Sequence, residues 1–106
     1  MKRLTCNISG RVQMVMYRSF VLGNAKRLGL KGIVQNMEDG SVKVVAEGDK
    51  ESLDHLLQLL NKGPRLARVE SVKETWSEAT GKFSEFKIVY DGRFDKVRSK
   101  VHNLLD

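Results

Sequence analysis

Gly32-Ile33-Val34-Gln35-Asn36-Met37-Glu38-Asp39-Gly40-Ser41-Val42-Lys43-Val44-Val45-Ala46-Glu47 leads directly into Asp49 and the leucines at 53, 56, 57 and 60. Residues 32–36 and the valine-rich residues 42–47 read as two strands. The Asp39-Gly40 pair between them signals a hairpin, because such residues accept the torsions of a tight turn. Leu53, Leu56, Leu57 and Leu60 recur at i, i+3, i+4 and i+7, which puts them on one face of a helix. Asp49 is placed to cap that helix by accepting a backbone N–H. Gly63-Pro64 ends it. A hairpin followed at once by an amphipathic helix is the middle of a mixed α/β layer structure.

Reading outward completes the order. Leu4, Cys6 and Ile8 alternate with polar residues, so a first strand runs about there. Residues 9–17 read as a loop with Gly10 at its start. A helix is predicted from Arg18, with Val21, Ala25 and Leu28 at helical spacing and Gly29 as its stop. Residues 69–76 read as a fourth strand and 77–82 as a polar loop. Phe86, Ile88 and Tyr90 alternate on a last strand. After Asp91-Gly92, Phe94, Val97, Val101 and Leu104 form the stripe of a C-terminal helix. The predicted order is β-α-β-β-α-β-β plus that helix. Its first six elements follow the ferredoxin-like split-βαβ order, an α+β sandwich with two helices on one face of a mainly antiparallel sheet. Residues 1–90 are read as the domain and 91–106 as a helical extension, which docks on its own domain or, alternatively, pairs two chains. A monomer is expected.

Composition narrows the function. The chain has 106 residues, the size of one domain, and 30% are charged, as expected of a soluble globular protein. It carries no apolar run long enough for a bilayer and no secretory-type leader, so a cytoplasmic location is expected. Cys6 is the single cysteine, which excludes a disulfide framework; it is read as a buried, inert thiol. His55 and His102 stand alone on predicted helices, so no metal site is expected. The net charge of +6 is scattered from Lys2 to Lys100. It favours small anions without forming a nucleic-acid stripe. Only 7% of residues are aromatic and no run places stacking aromatics on a central strand, so no nucleic-acid partner is expected.

The chemistry points to residues 10–18, Gly-Arg-Val-Gln-Met-Val-Met-Tyr-Arg, between the first strand and the first helix. The first N–H groups of a helix lack intrahelical partners and carry partial positive charge. A loop curling into them aims further amides inward. Arg18 at the helix start adds a planar cationic fork. On spacing alone, a plain connection with a surface arginine is the favoured reading. Asn36 is likewise read, on the residues alone, as a strand-end residue that opens the turn.

These residues resemble the acylphosphatase family. Gly10, Arg11, Val12, Gln13, Val15, Tyr17 and Arg18 match its signature loop. Gly32-Ile33-Val34-Gln35-Asn36 and Asp39-Gly40-Ser41-Val42 match its second pattern, with Ile33 in place of tryptophan. Residues 25–30, 47–48 and 63–69 fit as well, so the likeness spans about residues 4–90. The resemblance implies hydrolysis of acyl phosphates to a carboxylate and inorganic phosphate, on a small phosphorylated substrate and with no cofactor. It implies that the segment Gln13, Met14, Val15, Met16, Tyr17 and Arg18 holds the phosphoryl group and that Asn36 orients water. Met14 stands where the family has glycine. The alternative is therefore a weak or inactive anion-binding relative, in which Met14→Gly would restore activity. Met16 lies where the family varies.

Overall fold

The computed structural model describes residues 1–90; the predicted C-terminal helix and its stripe lie outside the described residues. Seven elements follow in order. They are β1 (Lys2–Arg11), α1 (Tyr17–Arg27), β2 (Lys31–Asn36), β3 (Val42–Gly48), α2 (Lys50–Lys62), β4 (Arg68–Glu78) and β5 (Phe86–Val89). The sheet order is β4-β1-β3-β2-β5. All pairs are antiparallel except β2 with β5.

Alternation in sequence becomes sidedness in the sheet. Leu4, Cys6 and Ile8 of β1, Val42, Val44 and Ala46 of β3, Val34 of β2 and Phe86 of β5 are buried in one core. Val21 and Ala25 of α1 and Leu53, Leu56 and Leu60 of α2 meet them from the helix layer. Leu57, the third residue of the predicted stripe, packs at the margin. The Cys6 thiol is 1% exposed. Burial, with Glu74 adding to it, pushes it up to about 12, so it stays protonated and unreactive as expected.

Two expectations change. Asp49 is the N-cap of α2, but its side chain makes no capping hydrogen bond; position alone does not direct a carboxylate. The first strand is also longer than its alternation indicates. It continues to Arg11 through a register shift between Ser9 and Gly10. Gly10 therefore belongs to a bulged strand and not to a loop. Its φ is 123°, and a Cβ there would lie 2.1 Å from the Arg68 carbonyl oxygen. The bulge turns the strand end, and the connection to α1 shrinks to residues 12–16.

At the opposite end of the sheet, Glu47 ties the β4–β5 connection to the strands. Its carboxylate accepts from Arg3 Nε at 2.7 Å, Thr80 N–H at 2.9 Å, Thr80 hydroxyl at 3.0 Å and Gly81 N–H at 3.0 Å. Burial pushes this carboxyl up, but the four donors outweigh it and hold it at about 2, against an ordinary 4.5. A depressed folded value stabilises fully above the ordinary value and is lost as pH falls toward the folded one. We expect Glu47→Gln to cost about 2–3 kcal/mol at pH 7. The gap between variant and wild type should close between about pH 4.5 and 2. Denaturant melts at pH 7, 4, 3 and 2 check this; a gap independent of pH would contradict it.

Candidate active site

β1 and β2 both run antiparallel to β3, so they are parallel to each other and end at the same edge of the sheet. Ile8 and Asn36 both pair with Val42, which places Asn36 two strands from the point where the chain leaves β1 for the loop. The loop is held by its apolar side chains. Val12 and Tyr17 at its ends are each 1% exposed, and Val15 packs against the core. The Tyr17 hydroxyl donates to the Leu60 carbonyl at 2.7 Å, fastening the start of α1 to α2. Burial, more than the neighbouring Cys6, pushes this phenol up, so it remains a donor.

The backbone between these anchors has an unusual form. Met14 has φ 61° and Met16 φ 66°, whereas Gln13, Val15 and Tyr17 have negative φ. Alternating signs of φ turn successive amides toward one side and make a concave anion nest. Met16 is the N-cap of α1 and supplies no side-chain cap, and the first turn holds no acidic residue. The Met16 carbonyl takes the Phe20 N–H at 3.0 Å, so the N–H groups of residues 17–19 precede any intrahelical acceptor. An uncapped N-terminus beside a nest has the polarity that binds an anion.

Met14, which stands where the family has glycine, holds a left-handed torsion with a methionine in place. Met16, at a position the family varies, takes an equally left-handed torsion. A glycine in the motif is the only sequence signal for such a torsion, and position 16 has none. Each methionine costs roughly 1–2 kcal/mol, offset by about 0.5–1 kcal/mol of chain entropy that glycine would lose. Met14→Gly and Met16→Gly are each expected to raise stability by about 0.5–1 kcal/mol. Urea melts of the two variants measure it, and destabilisation by either would mean that the side chain contributes packing the strain estimate omits.

Arg18, on the first turn of α1, is 1% exposed, and its guanidinium lies 4.9 Å from the centre of the Tyr90 ring. Asn36 is 7% exposed, and its Oδ1 accepts no hydrogen bond from the described residues. Buried acceptors are nearly always satisfied, so this carbonyl is suited to a water or ligand donor. Gln13 joins the two halves of the site. Its Nε2 donates to the carbonyls of Met37 at 2.8 Å and Ser41 at 2.9 Å. The Gln13 side chain is thus spent on the β2–β3 turn, and the loop has its backbone left to offer a ligand.

That turn is itself braced. Met37 N–H donates to the Ser41 carbonyl at 2.8 Å. The Asp39 carboxylate accepts from the Ser41 N–H at 2.9 Å and hydroxyl at 2.6 Å, and the hydroxyl first, then the N–H, keeps the Asp39 carboxyl below its usual range. Asn7 Nδ2 donates to the Ser41 hydroxyl at 3.2 Å. Ser41 is the hub of this brace, and Asp-Gly-Ser carries the signal of an Asx turn. Among the described residues no cluster of His, Cys, Asp or Glu is arranged to hold a metal ion. No helix among them is long and apolar enough to cross a membrane.

A family profile described as acylphosphatase matches residues 4–88. An acylphosphatase of Thermus thermophilus is 52% identical over 81 residues, 76% of this chain and 92% of that protein. One of Deinococcus radiodurans is 50% identical over 86 residues, 81% of this chain and 98% of that protein. Among solved structures, the acylphosphatase of Bacillus subtilis superposes with a TM-score of 0.82 at 32% identity, covering 85% of this chain and 100% of that one.

Proposed function

The chain belongs to the acylphosphatase family and hydrolyses acyl phosphates, and from that premise we propose how its own residues carry the reaction. The nest of residues 13–17, with the first amides of α1, receives the phosphoryl oxygens. Arg18 lends charge and a planar fork to the same oxygens. Asn36, across the Gln13 tie, holds the attacking water, its Oδ1 accepting one water proton.

The water oxygen forms a bond to phosphorus while the bond from phosphorus to the carboxylate oxygen breaks. The carboxylate leaves with the electron pair, and the water proton ends on phosphate or solvent. A carboxylate is a good leaving group, so no strong base is required. The demand is for alignment and for stabilising charge on the equatorial oxygens. Fixed amides and one buried guanidinium meet that demand without reorganising during the reaction.

The observation that carries this reading is the alternation of φ at residues 13–17, retained although two of the five residues pay for it in torsional strain. It argues against a cradle silenced by Met14, since the methionine keeps the torsion that glycine would have. All of these groups come from one copy, so the reading needs only a monomer. A free thiol at Cys6 suits a cytoplasmic setting.

The test is turnover of benzoyl phosphate by wild type in EDTA, with inorganic phosphate as a competitive inhibitor. Turnover that persists in EDTA and is inhibited by phosphate supports the reading. A folded protein with neither turnover nor phosphate binding would overturn it.

A further inference from the structure

The chain has four methionines. Met1 lies at the far end of the sheet, where Lys2 pairs with Gly48. The other three gather at the proposed site. Met14 and Met16 are the two left-handed residues of the nest, and Met37 follows Asn36 and gives its carbonyl to Gln13. Met14 is 49% exposed and Met16 44%. In a domain whose other long apolar side chains are mostly buried, two half-exposed thioethers on the same short loop forgo the stabilisation that burial gives the others. They also sit on residues that strain the backbone. Neither phosphate binding nor folding asks for a side chain there, since both roles belong to the amides.

From this we infer that Met14 and Met16 form an apolar, adaptable rim that selects acyl phosphates with a bulky apolar acyl group, aromatic above all, over small ones such as acetyl phosphate. The inference rests on the proposed function, because it takes the nest as the phosphoryl site and asks what the acyl end meets. A side chain on a nest residue begins beside the anion that its own amide holds. Methionine has three rotatable bonds and a polarizable sulfur, so it can follow acyl groups of different shape, and sulfur packs favourably on aromatic rings. Tyr90, 36% exposed with Arg18 against its ring, adds an aromatic surface near the same clamp.

The experiment compares wild type with the double variant Met14→Asn/Met16→Asn. Asparagine tolerates left-handed torsions, so the substitution removes the thioethers and asks little of the backbone. The first readout is the ratio of kcat/KM for benzoyl phosphate to that for acetyl phosphate, in which any general loss of cradle efficiency cancels. The expected result is a ratio about 5- to 10-fold lower in the variant, carried by KM. The second readout is calorimetric binding of benzoylphosphonate and acetylphosphonate, which cannot be hydrolysed and which report on a variant that no longer turns over. Wild type should bind the benzoyl compound more tightly by a similar factor, and the variant should lose that margin. A ratio and a margin that shift by less than about twofold would overturn the inference and leave the hydrolase reading standing. Failure of wild type to bind either phosphonate or inorganic phosphate would instead overturn both.

Discussion

Arg18→Ala is expected to lower kcat/KM for acyl-phosphate hydrolysis by about 10³-fold or more. Loss of a single preorganised donor to a developing charge costs about 10²–10³-fold, and loss of an arginine that stabilises a phosphoryl transition state costs about 10³–10⁵-fold. In the proposed reaction Arg18 combines both roles, and its burial keeps water from substituting for it. Arg18→Lys retains the charge but not the planar fork, so it should recover only a small part of the loss. Thermal melts with and without inorganic phosphate separate this from a folding defect. Phosphate at a hundredfold excess over its Kd stabilises a binding protein by about 2.7 kcal/mol. Wild type should show that gain and Arg18→Ala should not. An alanine variant still stabilised by phosphate, with kcat/KM within tenfold of wild type, would remove Arg18 from the site.

Asn36→Ala is expected to act differently. If Asn36 holds the water and not the phosphoryl group, kcat should fall by about 10²–10³-fold while KM changes little, because alignment of the nucleophile is lost and ground-state binding is not. Stabilisation by phosphate should persist. Asn36→Asp places a carboxylate beside a phosphate dianion, and it should raise KM as well. If Asn36→Ala lost phosphate binding in parallel with rate, Asn36 would be a phosphate ligand and the water would need another partner. The two variants thus divide the site. On the proposed reading, loss at Arg18 would be a failure to bind the phosphoryl group and stabilise its transition state, and loss at Asn36 a failure to attack it.

Much of the architecture was legible because its signals are local. Alternation at Leu4, Cys6 and Ile8, the leucine stripe of α2 and the Asp39-Gly40 turn each depend on the torsions of a few neighbouring residues. Their faces then follow from periodicity, and burying those faces together leaves few arrangements. The bulge at Gly10 was not legible. A glycine at a strand end looks the same whether it starts a loop or avoids the Arg68 carbonyl, and Arg68 is distant in sequence. The missing side-chain bond at Asp49 has the same origin, since a capping residue type states a capacity and not a geometry.

The site divides along the same line. Family membership could be read from the residues alone, and it singles out Gly10 to Arg18 and Gly32 to Asn36 as the segments proposed to hold the chemistry, because their residue types suit an anion and a water. How those segments meet depends on contacts made in the folded domain. Gln13 spends its side chain on the carbonyls of Met37 and Ser41, Met16 takes a left-handed torsion with no glycine to announce it, and Arg18 is buried against Tyr90. Glu47 gathers four donors, from Arg3, Thr80 and Gly81. Each of these joins residues far apart in the chain or bends backbone against its own preference. Local propensity encodes neither, because both are enforced by packing of the whole domain.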